Sequence, residues 1–226
     1  MILRRLTEHL KQQQWTAIGI ELVIVVLGVF LGLQVSNWNE ERIERQRTTQ
    51  VLEGLRADMR DYIDVQRTLS DKATRGLAAF DAARASGKNP VPYFLRVRGS
   101  ETPPTSVWQV AQQSGLAELV HPSLMFELGF FYSEIQGIGV KFGRYSRFVD
   151  SEILPRLGEP QAFYDEKDNL KTRFQQNMQR LREWTADGGV TLVSAECLLK
   201  RFETPKDAGP SCRPDYASFV DDETKP

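Results

Sequence analysis

Hydrophobic positions change their rhythm several times along the chain. Near the start, Ile2, Leu3, Leu6 and Leu10 recur at helical spacing among Arg4, Arg5, Glu8 and Lys11. That pattern suits a short helix in the headgroup plane and a plain basic flank equally. Residues 15–35 then read WTAIGIELVIVVLGVFLGLQV, 21 residues with one formal charge, Glu21. As a helix the run reaches ~31 Å, the thickness of a hydrocarbon core. Trp15 and Trp38 bracket it, ~34 Å apart along a helix axis, which suits indoles at both headgroup levels. Val23, Ile24, Val25 and Val26 would suit a buried strand in water, but the length of the run and its aromatic ends outweigh that reading. No pair of small residues in A-x-A spacing follows, so 15–36 reads as a retained transmembrane helix and not as a cleaved signal.

Beyond Asn37 the period stays helical. Leu52, Leu55, Met59, Tyr62, Leu69, Ala73, Leu77 and Phe80 recur at steps of three, four or seven, predicting one helix from the membrane to about Ala85, stopped by Ser86-Gly87. Pro90, Pro92, Pro103 and Pro104 make 88–105 a connection. Thr105 or Ser106 can cap a short helix bearing Val107, Trp108, Val110 and Ala111, with Gly115 as its stop. After Pro122-Ser123 comes the strongest pattern: Leu124, Leu128, Phe131, Ile135, Ile138, Phe142, Tyr145 and Val149 alternate steps of four and three. Gly129, Gly137, Gly139 and Gly143 lie off or beside this seam, implying a close neighbour or a bend. A third long helix is expected over about 161–185, with Phe163, Leu170, Phe174, Met178 and Leu181 inward. Asp187-Gly188-Gly189 should break it before a shorter apolar segment over 190–202. The expected fold is all-α: an N-terminal transmembrane helix followed by an antiparallel helical bundle. It divides into a cytoplasmic basic flank (1–14), the span (15–36), a helical extracytoplasmic domain (37–204) and a polar tail (205–226).

Charge narrows the partners. With 29 basic and 30 acidic residues the chain is near neutral, which argues against nucleic acid, since phosphate binding needs a concentrated basic face. The positive-inside count is a tie: Arg4, Arg5 and Lys11 precede the span closely, and Arg42, Arg45 and Arg47 follow it. Cys197 and Cys212 break the tie. An even pair flanking a Gly/Pro-containing stretch reads as a structural disulfide, and disulfides persist in oxidising compartments. The domain is therefore expected in the periplasm of a Gram-negative cell, with the N-terminus in the cytosol.

Within the span, Glu21, Gly28 and Gly32 are spaced by seven and four and share one helix face. Gly28 and Gly32 form a GxxxG, which lets a second helix approach closely. A carboxylate at that depth is costly unless protonated, snorkelling or partnered. The face reads as a packing surface for a second copy or another membrane subunit, against a solitary span with Glu21 reaching the interface.

Catalytic signals are sparse. His9 lies in the basic flank and His121 precedes Pro122, where turn or capping use is the ordinary reading. HExxH, CxxC, GxSxG and P-loop patterns are missing, and the Cys/His supply is too small for a metal site. The expectation is a non-enzyme without metal or cofactor. Two functions remain: a membrane-anchored interaction or scaffold protein of the cell envelope, or a ligand-binding bundle with a pocket lined by Trp108, Phe131, Tyr132 and Tyr145. The plain alternative for those aromatics is core packing.

The stretch IELVIVVLGVFLGLQVSNWNEER, residues 20–42, resembles the N-terminus of a family of uncharacterised bacterial single-span proteins. A looser second match is SVWQVAQQSGLAEL, residues 106–119, followed by a helix bearing Phe131-Tyr132. The resemblance implies an anchored helical domain and brings no catalytic residues. It does not extend to the cysteine segment.

Overall fold

The computed structural model describes residues 2–97 and 105–214, with residues 2–17 described by their helical backbone alone. It is all-α. The helices are α1 (Ile2–Ala85), α2 (Ser106–Gln113), α3 (Leu116–Leu119), α4 (Pro122–Phe148) and α5 (Thr172–Arg201). A π-turn (Val149–Ile153) and two 3₁₀ turns (Leu154–Arg156, Pro160–Phe163) join α4 to α5. Among the described residues the one β feature is an isolated bridge between Tyr164 and Leu170. Contacts divide the chain into two units, Met1–Gln50 and Val51–Pro226.

The first unit is helix throughout its described length. Among the described residues one helix is long and apolar enough to cross a membrane, and its most apolar stretch, of mean hydropathy 2.5, is 0% buried. The side chains of the basic flank and Trp15 lie outside the described residues.

The second unit has two hydrophobic clusters, and the order in which each helix visits them gives its direction. Leu52, Leu55 and Met59 of α1 share the first cluster with Leu124 and Leu128 of α4 and with Ala195 and Leu198 of α5. Ala73 and Leu77 of α1 share the second with Phe142 and Tyr145 of α4 and with Phe174 and Leu181 of α5. Thus α1 and α4 run the same way and α5 opposes both. The antiparallel relation expected from sequence holds for α5 against the other two. Between α1 and α4 it does not: Leu95 packs with the second cluster and Trp108 and Leu116 with the first, so the chain is back at the first cluster before α4 begins.

All eight seam residues, seven on α4 and Val149 opening the π-turn, are buried, the aliphatic and Phe side chains each worth ~1.5–3 kcal/mol of apolar transfer. The α1 series is buried at Leu52, Leu55, Met59, Ala73, Leu77 and Phe80 and half-buried at Tyr62 and Leu69. The connection after Gly87 (φ 77°) lies against α1, where the Tyr93 hydroxyl donates to the Lys72 carbonyl at 3.0 Å.

Two boundaries differ from the pattern reading. The third long helix starts at Thr172 and not near 161, because the chain first makes a tight reversal. There the Asp165 carboxylate accepts the N–H groups of Lys167 and Asn169, each at 2.8 Å, and Asp168 adopts φ 60°. Phe163 and Leu170 are still buried, but from this turn. Nor does α5 break at Asp187-Gly188-Gly189; it continues to Arg201 and absorbs the expected segment 190–202. A Cβ at Gly188 would stand 2.0 Å from Gln66 Nε2, so this glycine permits close approach of α1 rather than ending a helix.

Candidate functional site

The face of the apolar helix that carries Glu21 follows from helical geometry alone. Steps of seven and four return to nearly the same azimuth, so Glu21, Gly28 and Gly32 lie within about 40° of one another over ~16 Å of axis. All three are exposed, and Cβ atoms built at Gly28 and Gly32 would meet nothing within 4 Å. Glu21 has no partner among the described residues. Trp38, beyond the run, is exposed as well.

The cysteines lie in the second unit, at the end bearing the first cluster. Cys197 on α5 and Cys212 are joined, sulfur to sulfur at 1.96 Å, across 15 residues of sequence. Two buried charges hold the strap between them. Arg201 donates to the carbonyls of Asp207 (3.2 Å), Ala208 (2.9 Å) and Pro210 (3.0 Å) and to Ser123 Oγ (3.0 Å). Glu127 of α4 accepts from Ser211 Oγ at 3.0 Å and from the Cys212 N–H at 3.2 Å, and pairs with Arg213 at 3.4 Å. His121 caps α4: its Nδ1 accepts the Ser123 N–H at 3.2 Å, while its backbone N–H donates to the Pro205 carbonyl at 2.7 Å. The capping reading of His121 therefore matches the geometry. The Arg201–Glu127 arrangement was not legible beforehand, since its partners are mostly backbone groups of a turn.

The four aromatics named as pocket lining are buried in the packed cores. Trp108 stacks on Tyr132 with ring centroids 4.9 Å apart, and Phe131 meets Tyr62 edge-on at 5.4 Å. Tyr145 belongs to the other cluster, where its hydroxyl accepts the Leu95 N–H at 2.7 Å. Their hydroxyls are satisfied internally: Tyr132 donates to Asp58 Oδ2 at 2.7 Å. Burial raises the pKa of both Tyr132 and Tyr145. Burial also raises Asp58, against the lowering effect of the Tyr132 hydrogen bond. Tyr62, beside Thr191 Oγ1 at 2.5 Å, is pushed up by burial to about 12.

An open groove of about 760 Å³ lies elsewhere, between the end of α1 and the start of α5. Phe80, Leu170 and Met178 form its apolar floor, and Arg182 forks onto both Asp81 oxygens at its rim, at 2.9 and 2.8 Å. On α5, Asn177 is 1% exposed with no hydrogen-bond partner for its amide among the described residues. In the π-turn, Glu152 pairs with Arg156 (3.1 Å) and Arg173 (3.0 Å). No group of three His, Cys, Asp or Glu side chains that could hold a metal converges among the described residues.

No family model, curated protein or solved structure matches this chain.

Proposed function

We propose that this chain is a single-span protein of the bacterial inner membrane, with its N-terminus in the cytosol and its helical domain in the periplasm. It serves as an interaction or scaffold subunit of an envelope assembly, without a catalytic role or cofactor. The observation that carries this reading is the bare face of the span. Among the described residues Glu21 has no partner, and Gly28 and Gly32 offer open backbone to whatever approaches. In lipid, helices associate where small residues allow close backbone contact, and a buried carboxyl favours a polar partner. The bilayer and a second copy, or another membrane subunit, are the partners this face fits. The Cys197–Cys212 bond supports an oxidising compartment for the domain.

The test is affinity purification of the full chain in mild detergent, beside a Gly28→Leu/Gly32→Leu variant. The reading expects a membrane partner or a second copy with the wild type and its loss with the variant. A wild-type monomer purifying alone contradicts it. Placement is read separately: a C-terminal alkaline phosphatase fusion should be active, and an inactive fusion overturns the orientation. A second reading, a ligand-binding bundle, draws its support from the groove beside Asp81 and Arg182 and none from the packed aromatics.

A further inference from the structure

Helix α4 carries two seams. Opposite the buried one, Phe126, Phe130, Ser133, Gly137, Val140 and Arg144 follow one another at steps of four and three. Phe126 is 68% and Val140 52% exposed, and a Cβ at Gly137 would meet nothing within 4 Å. From Pro122 to Val140 none of the exposed residues is charged. Exposed Arg144 and Arg147 then follow. Scattered apolar residues on a surface are ordinary, but a row at heptad spacing is what a helix offers to a segment lying along it.

The described chain leads onto this row. Arg213, fixed to Glu127, lies with its guanidinium 5.0 Å from the Phe130 ring centroid. The residues after Pro214 are outside the described residues; their sequence, 215–226, is DYASFVDDETKP. It places Tyr216, Phe219 and Val220 ahead of Asp221, Asp222 and Glu223. From Phe130 to Arg144 is ~21 Å of helix. The eight residues from Arg213 to Asp221 span up to ~27 Å extended. Length, starting point and charge order are compatible: the segment is long enough for its apolar residues to meet the row and its acidic residues to meet Arg144 and Arg147.

We propose that the outer face of α4 is the docking site of the chain's own C-terminal segment, with Phe219 and Val220 against Gly137 and Val140 and Asp221–Glu223 beside Arg144 and Arg147. Glu127 and the Cys197–Cys212 bond anchor the start of that segment, and a partner binding this face has to displace it.

The test is a disulfide-trapping experiment on the full chain in detergent, with Val140→Cys and Phe219→Cys added to the native pair. Bonds are mapped by mass spectrometry after mild oxidation. An intramolecular 140–219 bond should form about tenfold faster than a 193–219 bond in a control with Val193→Cys and Phe219→Cys, because docking raises the local concentration. Val193 lies on α5 and is more exposed than Val140, 68% against 52%, so exposure alone would favour the control. Arg144→Glu with Arg147→Glu should slow trapping about fivefold, the scale of two exposed ion pairs, and Asp221→Arg with Asp222→Arg should restore it. A bond no faster than the control, a bond joining two molecules, or a rate indifferent to charge reversal overturns the proposal.

Discussion

Replacing Cys197 and Cys212 together by alanine removes a crosslink spanning 15 residues while sparing the contacts around it. The strap keeps its Arg201 hydrogen bonds to the carbonyls of Asp207, Ala208 and Pro210, the His121–Pro205 bond and the Glu127 acceptor. The folded chain should therefore look unchanged, and the cost should fall on the freedom regained by the unfolded chain. For a loop of this length that is ~3 kcal/mol on the chain-entropy account. At ~2–4 °C per kcal/mol for a domain of this size, Tm should fall by ~6–12 °C. The assay is thermal unfolding followed by circular dichroism in detergent, comparing the oxidised wild type, the reduced wild type and the double variant. The last two should coincide. A shift under ~2 °C refutes the magnitude, and loss of helix at room temperature refutes the claim that the other contacts hold the strap by themselves.

Other perturbations read the remaining contacts. Gly76→Ala should destabilise by about 1–2 kcal/mol despite its better helix propensity, because a Cβ there stands 2.0 Å from the Tyr93 ring. Gly189→Ala, where nothing lies within 4 Å, should stabilise by about 1 kcal/mol; Tm of both variants checks the contrast. Arg201→Met leaves the Asp207 and Pro210 carbonyls without their side-chain donor, while the Ala208 carbonyl keeps the Ser123 hydroxyl at 2.8 Å; it should cost about 2–4 kcal/mol, with Arg201→Lys recovering only part in chemical denaturation. Tyr62 has a folded pKa raised from 10.0 to about 12, so the folded state holds its proton more tightly. Its contribution is complete below pH 10 and is lost as pH climbs to about 12. The stability difference between wild type and Tyr62→Phe should shrink across that window, and a difference independent of pH would sink the assignment.

Periodicity located what depends on burial alone. The four-three seam of α4 and the inward series of α1 could be read without coordinates, because a buried face imposes its spacing on any helix. Where one glycine or one turn decides, the pattern failed. Asp187-Gly188-Gly189 looks like a stop because each glycine lowers helix stability by ~1 kcal/mol; Gly188 shows why it is not. In the fold it is the place where Gln66 packs flush against α5, and Trp184, Ala195 and Leu198 continue the buried face on either side of it. The late start of α5 hangs on Asp165 binding two backbone N–H groups, an exchange of side chain for helix that composition does not display. Of the candidate site, the Glu21–Gly28–Gly32 face was legible because it depends on spacing alone. The grouping of Trp108 with Tyr132, and of Tyr145 with a separate cluster, depends on which helices neighbour which. The Arg201 and Glu127 hubs depend on a turn whose carbonyls carry no residue-type signature.

The most direct measurement is where the intact chain resides. Cells expressing it should be fractionated, their membranes washed with alkaline carbonate, and the mass of the recovered chain determined. The account predicts a carbonate-resistant membrane protein that retains the 15–36 run. A soluble product whose first residue falls near Asn37 would contradict it.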